Sequence, residues 1–404
     1  MEQIGAYTVI LLVCGLVVLS YLFSVLNRVT RIPSVLLLLG AGMLFRYTAD
    51  TWGVPIYFPK TLVEILGTVG LIMIVLEAGL DLEITPDRLG MIRRSFFSGL
   101  VIFLLSSLSV AAIILYWIPA APFIHCLVYA IPLSIVSSAI VLPSVHHLSH
   151  EKREFLIYEA SFSDVVGIMV FNFFTSGEGI NLQSAGWFVG SILTAIVLSV
   201  AVCFLLMLIL VRNRVNIKFF LLFAVLIIVY VGGKMMHLPS LITILIFGLV
   251  VNNWELFRWR PLYTYFSEAA VNDVAVLLKS ITAESSFLIR TFFFVIFGFS
   301  IDATFVHNPQ VLVLGSVIVL ALLVLRFVYL RILHEYTLLP ELLYIPRGLI
   351  TVLLFYKIPE GMKIESFNEG VLFFVILSTA LIMMTGALIY RDKPVEMMEE
   401  QHIP

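Results

Sequence analysis

Apolar runs of membrane length, separated by short polar connections, organise this chain as far as residue 390. Thirteen stretches qualify: 4–26, 32–49, 62–80, 94–117, 122–142, 155–175, 186–211, 217–233, 239–252, 286–304, 310–333, 345–358 and 369–390. A helix needs roughly 20 largely apolar residues to cross the hydrocarbon core. In lipid every backbone polar group must be bonded within its own segment, so each run reads as an α-helix. Segments nine and twelve are short, and each begins beside a proline, Pro239 and Pro346. Short or interrupted helices are how transporter cores turn helix ends towards an ion. The pattern predicts an all-α polytopic membrane protein of about thirteen transmembrane helices, with a transmembrane domain over 1–392 and a short cytoplasmic tail over 393–404.

Composition strengthens this reading. The chain is 61% hydrophobic and 12% charged, against roughly 25% charged in soluble domains. A net charge of -2 implies no strongly basic or acidic partner and no nucleic acid. Cys14, Cys126 and Cys203 all fall in apolar stretches and read as packing residues rather than a disulfide framework. No small-residue cleavage site follows the first apolar stretch, so that stretch is expected to be retained.

Basic residues set the orientation. With the N-terminus outside and the C-terminus inside, the cytoplasmic connections hold seventeen lysines and arginines, Arg290 among them, and the outer connections hold five. Arg326 and Arg347, assigned to helices, complete the 24. A missed helix would scramble every later loop, so the asymmetry supports the segment count. The longest connection, 253–285, contains Trp254, Trp259, Tyr263 and Tyr265 among mixed charges. It reads as an amphipathic helix at the cytoplasmic interface, with a plain polar loop as the alternative.

Four charges in the apolar segments call for explanation: Glu77, Glu159, Asp164 and Arg326. Each costs about 2.5–3.5 kcal/mol at mid-bilayer on insertion scales, so each needs a reason to be there. Asp164 sits near the middle of segment six, with Ser161 and Ser163 as nearby oxygens. An ionised carboxylate beside hydroxyls suits a hard monovalent cation, and the same carboxyl, protonated, stores one proton without net charge. Glu159 lies five residues earlier, about 140° round an ideal helix, and faces a different partner. A buried arginine calls for a carboxylate, so Glu159 is paired with Arg326, and Asp164 with Arg326 is the competing pair. Glu77 is close to a helix end and either joins the site or reaches the interface; Asp81 and Glu83 beyond it read as solvated. The run His146, His147, His150 stands alone, without the further histidine boxes a di-iron centre needs, and reads as solvated loop. No cofactor is expected, and no nucleotide loop or nucleophile elbow is present.

At these residues the chain resembles the cation/proton antiporter superfamily, most closely its electroneutral sodium/proton exchanger branch. "PSVLLLLGAGMLF" looks like the second helix and "GTVGLIMIVLEAGLDLE" like the third. "SSAIVLPSV" (137–145) falls on the broken fifth, and "EASFSDVVG" (159–167) is similar to the Glu-Ser-Leu-Phe-Asn-Asp run of the sixth. "FFFVIFGFSID" (292–302), Arg326 and "PRGLITVLLF" (346–355) match the tenth, the eleventh and the broken twelfth. The resemblance implies an inverted-repeat antiporter fold with two broken helices crossing beside the sixth, and usually a homodimer. It makes Asp164 the ion- and proton-binding acid, Glu159–Arg326 a structural pair, and Ser137, Ser138, Ser161, Ser163 and Glu77 the surrounding positions. The chain departs from the family at Ser163, where the Asn before the acid stands, and at Ala160, where a Ser is common. It departs again at Ser137-Ser138-Ala139, which replace Thr-Asp-Pro. The expected function is exchange of Na⁺, or of K⁺ or Li⁺, for H⁺ across the cell membrane by alternating access, electroneutrally. The alternatives are a non-transporting sensor on the same scaffold and a membrane enzyme using Asp164 with Ser161 or the histidines.

Overall fold

The computed structural model describes residues 6–30, 32–53, 60–145, 147–175, 218–235, 240–254, 268–301, 308–333 and 338–390, and, with gaps, 186–205. Among them there is no strand. The helices are α1 (Ala6–Thr30), α2 (Ser34–Thr51), α3 (Lys60–Asp81), α4 (Leu89–Trp117), α5 (Phe123–Ser134), α6 (Ser138–Val141) and α7 (His150–Thr175). They continue as α8 (Leu193–Val202), α9 (Lys218–Met235), α10 (Ser240–Asn252), α11 (Glu268–Ser300), α12 (Pro309–Leu333), α13 (Leu349–Tyr356) and α14 (Gly370–Ile389). Among the described residues six helical stretches are long and apolar enough to cross a membrane. α7 has the length of a span but keeps Glu159, Asp164 and Asn172 among its apolar residues.

Two of the expected segments are broken. The fifth is divided by Ile135–Ser137 into α5 and the short α6. The twelfth begins with the non-helical stretch Tyr344–Gly348 and becomes helical only at Leu349. Arg347 therefore lies in irregular chain and not in a helix as the sequence suggested; Pro346 lacks an N–H and Gly348 tolerates an open backbone, so neither favours helix there. The short ninth segment forms the single helix α10, and Pro239 lies outside the described residues.

The connection 253–285 needs a larger correction. Residues 255–267, with Trp259, Tyr263 and Tyr265, lie outside the described residues. From Glu268 the chain is already in α11, which runs 33 residues to Ser300. At 1.5 Å per residue that helix is about 50 Å long, well beyond a hydrocarbon core of about 30 Å. Arg290, counted as part of a connection, is inside α11. The tail 393–404 lies outside the described residues.

The chain divides into two compact units. Unit 1 comprises Met1–Val63, Arg93–Asp164 and Thr291–Pro404; unit 2 comprises Glu64–Ile92 and Val165–Arg290. Within unit 1 the two breaks meet: the Ser137 amide donates to the Pro346 carbonyl at 2.9 Å. α5 and α13 pack together through Tyr129 and Phe355, whose rings meet edge to face at 5.4 Å. Tyr129 Oη also accepts the amide of Ile364 at 3.0 Å, fixing the chain after α13. Within unit 2, Asn253 caps the end of α3, its amide nitrogen donating to Leu82 O at 2.7 Å and its oxygen accepting from Ile84 N at 2.6 Å.

Candidate functional site

α7 brings both carboxylates into the core of unit 1. Glu159 is 1% exposed and Asp164 2%. Their surroundings differ. Arg326, on α12 and fully buried, places Nη2 2.6 Å from Glu159 Oε2 and Nη1 3.3 Å from Oε1. Ser98 Oγ donates to Oε1 at 2.6 Å, and Arg326 Nε donates to the Glu341 carbonyl at 2.7 Å. Such a forked pair with its remaining donors used is the arrangement a buried arginine requires. Gly99 lets α4 come this close: a Cβ there would lie 2.9 Å from the Glu159 carbonyl.

Asp164 has no basic partner among the described residues. Its Oδ2 accepts from the Ser138 amide at 3.1 Å and from Ser138 Oγ at 2.5 Å. Its Oδ1 is buried and accepts no hydrogen bond among the described residues. The preceding residue, Ser163, holds the break itself: its Oγ accepts the Val136 amide at 3.0 Å. Chain interruption and acid are therefore tied by adjacent residues of α7. Ser161 is buried on the same helix, three residues from Asp164 and so on a neighbouring face. Ser137 is buried with no partner for its Oγ. That hydroxyl lies against Gly348, where any Cβ would collide with it.

Arg347, which the sequence reading left without a role, completes the crossing. It is 1% exposed. Nε donates to Leu133 O at 2.8 Å, Nη2 to Ser134 O at 3.3 Å and Nη1 to Ile345 O at 2.5 Å. The first two carbonyls end α5, where orphan C=O groups and the negative end of the helix dipole favour a cation. Asp164 answers at the start of α6, where orphan N–H groups favour an anion. The one local signal was Pro-Arg-Gly at 346–348, a charged residue between two helix breakers.

Glu77 belongs to unit 2. It is buried, with Arg290 Nη1 3.4 Å from Oε2. Sequence left it either at the site or at the interface; the structure gives it a basic partner that had been assigned to a loop. Asp81, read as solvated, has Lys279 Nζ at 3.2 Å, and Glu83 has Arg88 Nη1 at 2.9 Å. Of the histidine run, His146 lies outside the described residues. His147 Nε2 lies 3.3 Å from Tyr344 Oη, and His150 Nδ1 lies 3.6 Å from Glu154. Among the described residues no group of three or more His, Cys, Asp or Glu could hold a metal.

Chemically, Asp164 offers one oxygen already oriented by Ser138 and one with capacity to spare. Ionised, the free oxygen can take a cation; protonated, the group is neutral and needs none. Glu159, saturated by Arg326 and Ser98, has no such freedom.

Comparison with known proteins bears on the fold and the family. The solved structure of the sodium proton antiporter MjNhaP1 from Methanocaldococcus jannaschii at pH 8 matches with a TM-score of 0.69 at 19% identity, over 96% of this chain and 99% of that one. An electron-microscopy structure of the same antiporter matches with a TM-score of 0.66 at 15% identity, over 95% of each chain. No curated protein matches the sequence. At such identities these structures speak for the fold, an antiporter fold. The profile of the family described as "Sodium/hydrogen exchanger, transmembrane" matches residues 9–390, so the chain belongs to that family and is a secondary active cation/proton exchanger of the membrane.

Proposed function

We propose that this exchanger moves one monovalent cation, Na⁺ first and K⁺ or Li⁺ as alternatives, against one proton, with both using Asp164 in turn. The observation that carries this reading is the contrast on α7. Asp164 is buried with a free oxygen and no basic partner, whereas Glu159 is neutralised by Arg326. Ser138 orients the Asp164 carboxylate, Ser163 fixes the break beside it, and Ser137 and Ser161 supply further oxygens. Glu159–Arg326 is structural. Glu77, paired with Arg290, stays outside the exchanging group. Binding alternates between the two sides of the membrane. Each half-cycle carries the same site charge, because cation and proton replace one another, so turnover is electroneutral.

The membrane assignment carries a topology proposal with it: N-terminus outside, C-terminus cytoplasmic, in the cell membrane, as a homodimer. The distribution of lysine and arginine supports the orientation, and the family resemblance supports the dimer. Neither a cofactor nor covalent chemistry is needed for this cycle.

The deciding experiment is cation-by-cation flux with purified protein in proteoliposomes, following the proton with a pH-sensitive dye. Proton movement driven by Na⁺, K⁺ or Li⁺ supports exchange and ranks the ions. A folded protein that moves protons with none of them favours the sensor reading. That second reading draws on one observation: Ser138 stands where the family has an aspartate, and its hydroxyl is already committed to Asp164.

A further inference from the structure

A buried helical serine or threonine commonly returns its hydroxyl to its own backbone, bonding the carbonyl four residues earlier. Ser134 does so with Ala130 O and Thr379 with Val375 O, each at 2.8 Å. Thr351, in the first turn of α13, does not. It is fully buried, and its Oγ1 has no partner among the described residues. The carbonyl four residues before it belongs to Arg347, in the non-helical stretch, so the break that ends at Gly348 withholds the ordinary acceptor. Ser137 is the counterpart at the other break. It occupies the N-cap of α6, yet its side chain caps nothing, and its hydroxyl too is buried without a partner among the described residues.

The helix period turns both hydroxyls to one place. Gly348 lies against Ser137 Oγ and Ile140 Cδ1 of the broken fifth segment. Seven residues on, the Phe355 ring meets Tyr129 of α5. Thr351 stands between them, and positions i, i+3 and i+7 share one stripe of a helix. The stripe Gly348–Thr351–Phe355 therefore directs Thr351 towards the interruption between α5 and α6. The residue after Ser137 there is Ser138, which holds Asp164 Oδ2. Asp164 Oδ1, Ser137 Oγ and Thr351 Oγ1 are thus three buried oxygens around one crossing, each without a partner among the described residues.

Burying polar oxygens unbonded costs free energy, and a site that strips a cation of water must offer oxygens in exchange. We propose that Thr351 is a further cation-binding residue, whose hydroxyl joins that of Ser137 and the free oxygen of Asp164 around the ion. This rests on the reading that Asp164 holds the cation. A hydroxyl suits the position because it adds a ligand oxygen without adding charge. Replacement of one cation by one proton at Asp164 therefore still leaves the charge of the site unchanged. The two breaks supply the ligands by the same device: each interrupts a helix just before a residue whose hydroxyl would otherwise be spent on the backbone.

The test compares Thr351→Val, which keeps the shape and removes the hydroxyl, with Thr351→Ser, which keeps the hydroxyl. Ser107→Ala is the control, since Ser107 on α4 is another buried hydroxyl without a partner among the described residues. Each full chain is titrated with NaCl, KCl and LiCl at constant ionic strength, following the rise in unfolding temperature, and its exchange is measured in proteoliposomes. Without added cation, Thr351→Val should unfold no lower than wild type, because an unbonded hydroxyl contributes no stability. Its apparent cation KM and its half-maximal concentration for stabilisation should both rise about tenfold, the scale of one lost contact to a charged group, with a smaller change in kcat. Thr351→Ser should regain most of the affinity, and Ser107→Ala should match wild type. If Thr351→Val does not fold, Thr351→Ala carries the same expectation against Thr351→Ser. Wild-type affinity in the variant lacking the hydroxyl, or an equal loss in Thr351→Ser or Ser107→Ala, would overturn the assignment of Thr351 alone, provided the wild type exchanges. A wild type that is neither stabilised by these cations nor able to exchange them overturns the exchanger reading, and this inference with it.

Discussion

Glu159 and Asp164 stand five residues apart on one helix and are equally buried, yet only Glu159 meets a positive charge. Its carboxylate takes a two-point contact from Arg326 and a hydrogen bond from Ser98. Asp164 takes two hydrogen bonds on one oxygen, both from Ser138, and none on the other. The magnitudes separate the roles. Hydrogen bonds to a charged group contribute roughly 1.5–3 kcal/mol each, while an acid at mid-bilayer costs about 2.5–3.5 kcal/mol. Ser138 can therefore roughly offset the insertion cost of an ionised Asp164 without locking it. An arginine at the same place would exclude any arriving cation. In the proposed cycle the pair holds the helix, and the unpaired acid exchanges its partner.

The most forceful way to break this contrast is Asp164→Asn. The amide keeps size and hydrogen bonding but cannot titrate. Exchange should fall to background in proteoliposomes while the thermal unfolding profile in detergent stays close to wild type. Near-normal antiport from this variant would end the assignment of Asp164.

Glu159→Ala and Arg326→Ala should do the reverse in kind, losing stability first. Removing one member of a buried pair strands the other, at roughly 3–5 kcal/mol, and the double replacement should regain part of the loss. Unfolding measurements on the two single variants and the double variant give the coupling directly. Losses that simply add would mean that the two residues act independently.

A smaller effect sharpens the role of Ser138. Ser138→Ala removes the hydroxyl donor and keeps the backbone one. The ionised, cation-holding form loses a hydrogen bond worth roughly 1.5 kcal/mol or more, so the apparent cation KM should rise about tenfold. Ser161→Ala, a neighbour not bonded to Asp164 by any contact described above, should change it less. Equal effects from both would remove Ser138 from its special position.

How much of this was legible in sequence depends on how each charge is neutralised. Asp164, Glu159 and Arg326 stood out because a charge inside an apolar run is expensive, and the arginine called for a carboxylate. Arg347 escaped notice because its compensation is not another charge: the carbonyls of Leu133, Ser134 and Ile345 receive it. They become available only because two segments of the chain are interrupted at the same place. The grip of Ser138 on Asp164 was likewise hidden, since it spans 26 residues of sequence and depends on the break that exposes the start of α6. Arg290 falls within the predicted run 286–304 yet was counted with the connection before it, and the first half of α11, from Glu268, lies in a polar stretch whose hydrophobicity gives no sign of helix. Runs of apolar residues locate membrane helices well, but they find neither the polar ends of long helices nor the contacts made at interruptions.

The last test expects no effect at all. If Asp164 is the one carboxylate that titrates during turnover, each proton released is replaced by one monovalent cation and the loaded site carries the same charge in both directions. The other acids considered for the site are accounted for. Glu159 is held by Arg326, Glu77 has Arg290 at 3.4 Å, and position 138 carries a serine hydroxyl in place of a second acid. Moving one uncompensated charge through 100 mV is worth about 2.3 kcal/mol, large enough to shift exchange end-points plainly. Exchange should therefore proceed to the same end-point, at the same rate, with and without an imposed diffusion potential, set by an ion the protein does not carry. A clear dependence on voltage would mean that a second group gives up its proton in the cycle. Glu77→Gln then becomes the discriminating variant. Restored voltage independence would place Glu77 in the exchange, and unchanged dependence would put the extra charge elsewhere.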